Sequence, residues 1–152
     1  MFLDACRKVA GEYPTTEFKD VIIDACCMQL VRWPESFDVI VTWNLYGDIL
    51  SDLCAGLVGG LGVVPGANIG NDLAVFEAVH GSAPDIAGKG VANPTAMIQS
   101  ALLMLQHLGM QSYADKIFDA LVEALKSDQA RTKDVGGQGT TEDFSSAILA
   151  NV

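Results

Sequence analysis

Two carboxylates, Asp48 and Asp52, lie four residues apart in a segment whose apolar residues recur at helical intervals. Four residues make about one helical turn, so both side chains would project from one face, roughly 6 Å apart along the axis. At an effective dielectric near 20 the pair repels by about 3 kcal/mol. A divalent cation removes that cost, because carboxylate oxygens are among its preferred ligands. The spacing is compatible with a metal site. The simpler alternative is that Asp48 stabilises the helix start and Asp52 faces water.

The elements before these carboxylates indicate an open sheet. Asp38–Trp43 is an apolar, β-branched run typical of a buried strand, and a turn is expected at Asn44–Gly47. An earlier run, Val21–Ile23, has the same character and ends in Asp24, and Ala25–Val31 after it has helical spacing. This alternation predicts parallel strands joined by crossovers. Such sheets bind ligands beyond the carboxyl ends of their strands, which is where Asp24 and Asn44 would lie.

A second polar region follows a glycine- and proline-rich segment, Gly59–Gly70, which is the predicted domain boundary or hinge. Leu73–Val79 is another predicted strand, and it leads into the loop His80–Gly90. Small residues and glycines in this loop let backbone N–H groups approach an anion closely. The glycine-rich segment does not match G-x-G-x-x-G at the start of a helix, so it is not a Rossmann fingerprint. A lone loop histidine such as His80 is more often an ordinary polar residue than a catalyst.

Four further helices are predicted from the spacing of apolar residues and from capping residues. They are Phe2–Tyr13, residues 93–108 with Asn93 as cap and Gly109 as terminator, Tyr113–Lys126, and a C-terminal helix capped by Thr140–Asp143.

Composition narrows the classes of partner. The 152 residues suffice for one ordinary core, and the net charge of −10 argues against binding of nucleic acid or an anionic membrane. No apolar run has the length of a membrane span, and the first residues lack the layout of a signal peptide. The four cysteines show neither zinc spacing nor a secreted disulfide framework, which favours a reducing cytoplasmic or mitochondrial-matrix compartment. Nine scattered basic residues are too few to clamp a polycarboxylate without help from outside this chain.

Several long motifs, in this order and spacing, resemble the β-decarboxylating dehydrogenases of isocitrate, 3-isopropylmalate, homoisocitrate and tartrate. The motifs are Asn44–Asp52, His80–Gly88 and Asn93–Thr95. With the longer run Asn44–Gly62 and with Asp134–Thr141, the resemblance is strongest to the NAD-dependent isocitrate dehydrogenases. It implies an α/β fold that is the C-terminal portion of the isocitrate/isopropylmalate dehydrogenase-like two-domain fold. Residues 1–59 would be part of the dimerisation and metal-binding domain, and residues 60–152 the returning part of the NAD-binding domain.

The resemblance implies an oxidoreductase of the tricarboxylic acid cycle, acting in the metal- and NAD-dependent oxidative decarboxylation of isocitrate to 2-oxoglutarate. 3-Isopropylmalate and homoisocitrate are alternative substrates. The family's N-terminal half, with its catalytic lysine and tyrosine and its substrate arginines, has no counterpart here, so no catalytic set is complete in this chain. A non-catalytic truncated paralogue or a regulatory subunit is therefore the alternative. The expected partners are a 2-hydroxy polycarboxylate and either a second copy of the chain or a complementary N-terminal half.

The same resemblance assigns site residues by position. Asp24, Asp48 and Asp52 match the carboxylates that hold Mg²⁺ or Mn²⁺, with Asp24 reaching into the neighbouring subunit's site across a dimer interface. Asp85 fits NAD, because a carboxylate accepts hydrogen bonds from ribose hydroxyls and repels a 2′-phosphate. The full set that matches the cofactor loop is Glu77, His80, Gly81, Ser82, Ala83, Asp85, Ile86 and Asn93.

Overall fold

The computed structural model describes all 152 residues, in six α-helices, three short 3₁₀ helices and one two-stranded sheet. The elements are α1 (Phe2–Ala10), α2 (Ile23–Arg32), α3 (Asn44–Val58), β1 (Pro65–Ile69), β2 (Ala74–Ala78), α4 (Thr95–His107), α5 (Gln111–Leu125) and α6 (Thr141–Leu149), with 3₁₀ turns at Pro34–Ser36, Leu61–Val63 and Lys133–Val135. The chain forms two compact units, Met1–Leu53 and Cys54–Val152.

Neither strand predicted in the first unit forms. Val21 and Ile22 precede α2, which begins at Ile23, and residues 38–43 have no regular secondary structure. A strand exists only through backbone hydrogen bonds to a second strand, and residues 38–42 make no such bond to another segment. Val39 and Val41 are accordingly 80% and 71% exposed. The apolar, β-branched pattern was present, but the pairing partner was not.

The turn predicted at Asn44–Gly47 is the first turn of α3. The helix begins at Asn44, and the Gly47 backbone N–H donates to the Trp43 carbonyl oxygen at 2.8 Å. The other helices agree with prediction to within a few residues: α1 ends at Ala10 and α2 starts two residues earlier than expected.

The sheet in the second unit is antiparallel, so the prediction of parallel strands with crossovers is wrong for this chain. Pro65 of β1 pairs with Ala78 of β2, and Ile69 pairs with Ala74. The predicted strand Leu73–Val79 is therefore confirmed, and its partner lies inside the segment predicted to be a hinge. Gly66 of β1 allows the two strands to pair this closely, because a Cβ at that position would lie within 2.9 Å of the Glu77 carbonyl oxygen.

Helix α4 packs on both strands and on α5, and α5 packs on α6. Ser100 links α4 to both strands, since its hydroxyl lies 2.8 Å from the Glu77 carbonyl oxygen of β2 and 3.4 Å from the Gly66 nitrogen of β1. The main core lies between α5 and α6 and contains Ala120, Leu121, Ala124, Ala130, Phe144 and Ile148. None of the helices combines the length and apolar character that crossing a bilayer requires.

Candidate metal- and cofactor-binding residues

Asp48 and Asp52 both lie on α3, one turn apart, and both are exposed. The Asn44 side-chain amide donates to Asp48 Oδ2 at 3.0 Å, which fixes one carboxylate oxygen near the helix start. No lysine or arginine pairs with either aspartate. Their oxygens remain available, and the donor set is the one that a hard divalent cation uses. These residues therefore fit part of a Mg²⁺ or Mn²⁺ site.

Asp24 is the second residue of α2, where Oδ1 accepts a hydrogen bond from the Ala25 backbone N–H at 2.6 Å. No three histidine, cysteine or acidic side chains in the chain are grouped so that they could hold a metal ion. The single chain thus does not bring Asp24 together with Asp48 and Asp52. The contribution of Asp24 to a neighbouring subunit's site stays a prediction.

The loop after β2 presents backbone N–H groups to solvent. Residues 80–90 are all exposed, and the N–H groups of Gly81, Ser82 and Ala83 have no backbone acceptor. Ala83 has a φ of +42°, a left-handed conformation that is uncommon outside glycine. A turn follows, in which the Ile86 N–H donates to the Ala83 carbonyl oxygen at 3.0 Å. Unpaired N–H groups beside a residue in this conformation resemble an anion-binding nest.

The remaining cofactor-loop residues lie around this turn. Asp85 is exposed and has no ion-pair partner, and Ile86 is 40% exposed. His80 Nδ1 lies 3.0 Å from the Gly81 carbonyl oxygen. Glu77 is on β2, outside the loop, where its Oε1 accepts a hydrogen bond from the Asn68 side-chain amide at 3.1 Å.

The far end of the loop is anchored by α6 and α4. The Thr141 backbone N–H donates to the Gly90 carbonyl oxygen at 2.8 Å, and the Thr141 hydroxyl donates to that of Ala92 at 2.5 Å. Asn93 follows, and its Oδ1 accepts from the Thr95 N–H at 3.0 Å. The helix begins at Thr95 with Pro94 as its N-cap, so Asn93, the predicted cap, lies one residue before the cap position.

Asp134 contacts this region and was not singled out from the sequence. Asn93 Nδ2 donates to Asp134 Oδ2 at 2.9 Å, across 41 residues of chain. In the sequence it is only the first residue of the glycine-rich motif Asp134–Thr141. Its only local signal is Thr132 two residues before it, which donates a side-chain hydrogen bond to its Oδ1.

The fold of this chain matches solved structures over nearly its whole length. The chain superposes on the crystal structure of isocitrate dehydrogenase from Methylococcus capsulatus with a TM-score of 0.88 and 53% identity, covering 99% of this chain and 45% of that one. The TT0538 protein from Thermus thermophilus gives the same TM-score at 51% identity, covering 95% of this chain and 30% of that one. The fold is thus the C-terminal portion of an isocitrate dehydrogenase-like α/β fold.

The chain belongs to the isocitrate/isopropylmalate dehydrogenase family, whose sequence model matches residues 1–148. It is 54% identical to the mitochondrial isocitrate dehydrogenase [NAD] catalytic subunit 5 of Arabidopsis thaliana, over 97% of this chain and 40% of that protein. It is 56% identical to an isocitrate/homoisocitrate dehydrogenase of Thermus thermophilus, over 98% of this chain and 44% of that protein. The mitochondrial isocitrate dehydrogenase [NAD] subunit alpha of Bos taurus is 50% identical, over 100% of this chain and 42% of its own length. The chain therefore spans about two fifths of these relatives.

Proposed function

We propose that this chain is the C-terminal part of a metal- and NAD-dependent isocitrate dehydrogenase and supplies its metal carboxylates and its adenosine contacts. The observation that carries the proposal is the Asp48–Asp52 pair on one face of α3, exposed and free of cationic partners. The relatives named as NAD isocitrate dehydrogenases support the choice of cofactor and substrate. The named isocitrate/homoisocitrate dehydrogenase keeps homoisocitrate as an alternative substrate, and the family description keeps 3-isopropylmalate.

In the proposed reaction, Asp48 and Asp52 would hold Mg²⁺ or Mn²⁺, and Asp24 would complete the set in a neighbouring subunit. When bound, the cation supplies Lewis-acid stabilisation of negative charge on the substrate oxygen as CO₂ departs. Asn44 orients the Asp48 carboxylate through their 3.0 Å hydrogen bond. The free N–H groups of residues 81–83 bind and orient the cofactor phosphates, and Asp85 accepts from the ribose hydroxyls.

The proposal includes association with a further chain, either a second copy or a complementary N-terminal half. Large apolar side chains are exposed in the first unit, among them Val39 at 80%, Val41 at 71% and Leu45 at 66%. Exposed apolar surface of this kind marks interaction sites. A partner chain that covers these side chains would make the protein part of a multi-subunit enzyme. The compartment would be the cytoplasm or the mitochondrial matrix, where the four free cysteine thiols stay reduced.

The metal part of the proposal has a matched control within the chain. Asp115 and Asp119 on α5 have the same four-residue spacing, and Asp115 Oδ1 accepts from the Gln111 side chain four residues earlier, as Asp48 does from Asn44. Mn²⁺ binding to the purified chain should weaken by about tenfold or more in Asp48→Asn and Asp52→Asn, since each removes an anionic ligand. Asp115→Asn and Asp119→Asn should leave it unchanged. Equal losses in both pairs would mean diffuse attraction to a chain of charge −10 and would contradict the proposed site.

The reaction is tested by adding the N-terminal portion of a related isocitrate dehydrogenase and measuring NADH formation from isocitrate, homoisocitrate and 3-isopropylmalate. Turnover with isocitrate that is lost in Asp48→Asn supports the proposal. A folded complex without turnover on any of the three substrates favours the non-catalytic or regulatory alternative.

A further inference from the structure

The Asn93 side chain is held by two neighbours that both select the same orientation of its amide. Nδ2 donates to the Asp134 carboxylate at 2.9 Å, and Oδ1 accepts from the Thr95 backbone N–H at 3.0 Å. A carboxylate only accepts and a backbone N–H only donates, so exchange of the amide oxygen and nitrogen would break both bonds. The remaining N–H of Asn93 and the second lone pair of its Oδ1 therefore lie on fixed sides of the amide.

Asp134 is itself positioned by the connector between α5 and α6, residues 126–140. The Thr132 hydroxyl donates to Asp134 Oδ1 at 2.5 Å, so one oxygen serves Thr132 and the other serves Asn93. Thr132 is completely buried, its backbone bridges to Gly139, and its carbonyl oxygen accepts from the Gly137 N–H at 3.0 Å. A Cβ at Gly137 or Gly139 would overlap the carbonyl oxygens of Arg131 and Ala130, so the connector closes this tightly only with glycine there.

We propose that Asp134 is a positioning residue that sets the Asn93 amide to recognise the adenine of the dinucleotide. This inference rests on the proposed function, in which Asn93 contacts the adenosine part of NAD. A side-chain amide pairs with adenine by accepting from its amino group and donating to a neighbouring ring nitrogen. The orientation fixed by Asp134 and Thr95 defines which side of Asn93 accepts and which donates.

Hypoxanthine distinguishes this role from a purely structural one. It has an oxygen in place of the adenine amino group, so the accepting side of Asn93 would face another acceptor. On the edge that carries N1, hypoxanthine reverses both groups, with an acceptor oxygen for the amino group and an N–H for the unprotonated N1. An amide free to turn over would match that edge of either base, whereas an amide held by Asp134 favours adenine. Loss of Asp134 should therefore change the preference between the two bases as well as the affinity.

The experiment measures calorimetric binding of NAD and of nicotinamide hypoxanthine dinucleotide to the chain. The unsubstituted chain should prefer NAD by about tenfold, the value of one hydrogen bond in a site built for it. In Asp134→Asn the new amide can donate or accept, and only the Thr95 N–H still selects the Asn93 orientation. NAD affinity should therefore fall about fivefold, and the preference for NAD should drop from about tenfold to about two- to threefold. Thr132→Val keeps the shape and removes only the hydroxyl that holds Asp134, and a smaller fall in preference is expected.

Asp128→Asn is the matched control, because Asp128 lies in the same connector and pairs with Arg131 at 2.6 Å without touching Asn93. It should leave the preference unchanged. If Asp134→Asn and Thr132→Val, both folded, weaken the two dinucleotides equally, Asp134 is structural only and the inference is wrong. If the unsubstituted chain binds neither dinucleotide, both the proposed function and this inference are wrong. That outcome differs from the first, in which the dinucleotides bind and only the role of Asp134 is wrong.

Discussion

In the proposed cofactor loop, one exposed side chain, Asp85, would set the choice between NAD and NADP. It lies in the turn after Ala83, where no basic residue pairs with it, so no ion pair neutralises its charge. A 2′-phosphate on the adenosine ribose would bring a second negative charge against it, while the free hydroxyl of NAD can donate to it.

We therefore predict that Asp85→Asn lowers the ratio of NAD to NADP affinity by about tenfold, mainly by improving NADP binding, because a repulsion is removed. The measurement is calorimetric titration with both dinucleotides. Asp72→Asn, which removes an exposed charge between β1 and β2, is the control and should leave the ratio unchanged. An unaltered ratio in Asp85→Asn would place the ribose elsewhere.

At the scale of elements, the start of α6 is stabilised by a reciprocal capping box. The Asp143 backbone N–H donates to the Thr140 hydroxyl oxygen at 3.1 Å, and the Asp143 carboxylate accepts from the Thr140 backbone N–H at 2.9 Å. The hydrogen bond from the Thr140 side chain, and after it the one from the Thr140 backbone, lowers the pKa of Asp143 below its ordinary value of 3.8. The same helix end anchors the cofactor loop through Thr141.

A lowered pKa in the folded state means that the ionised carboxylate stabilises the fold, fully so above 3.8 and progressively less as the pH falls through the lowered value. Asp143→Asn should therefore lower the melting temperature at neutral pH, and its difference from the unsubstituted chain should shrink below pH 3.8. Thermal unfolding followed by circular dichroism from pH 7 to the acid limit checks this. A loss in Asp143→Asn that does not shrink as the pH falls would contradict this role of the carboxylate.

At the scale of the whole molecule, the two units differ in how much apolar surface they bury. The second unit, Cys54–Val152, has a defined core in which Phe144 of α6 is completely buried against α5. The first, Met1–Leu53, buries only Cys26, Leu30 and Leu50 among its hydrophobic residues. Stability of the isolated chain should therefore depend mainly on the second unit.

Phe144→Ala is expected to lower the free energy of unfolding by about 3–5 kcal/mol, the usual cost of truncating a buried aromatic side chain. Phe118 on α5 is 49% exposed, so Phe118→Ala should cost less than about 1.5 kcal/mol. Urea unfolding monitored by circular dichroism measures both. Similar losses for the two variants would contradict the assignment of the core to the α5–α6 contact.

The family, the helices and the strand β2 could be predicted from the amino-acid sequence alone. Periodicity located the helices because each forms its hydrogen bonds within its own segment, and Thr140 with Asp143 marked a cap for the same local reason. The motif series led to the family that the comparisons confirmed. The site assignments for Asp24, Asp48, Asp52 and the cofactor loop stay predictions that this family membership motivates.

Strand pairing and contacts between distant residues could not be predicted from the sequence and are seen first in the folded chain. The run Asp38–Trp43 had the composition of a strand but formed none, because pairing depends on a partner that composition does not reveal. β1 formed inside a predicted hinge, since β2 lies beside it and Gly66 allows the close approach. Asp134 reaches Asn93 across 41 residues for the same reason: a non-local hydrogen bond depends on how the chain folds back, which no local pattern encodes.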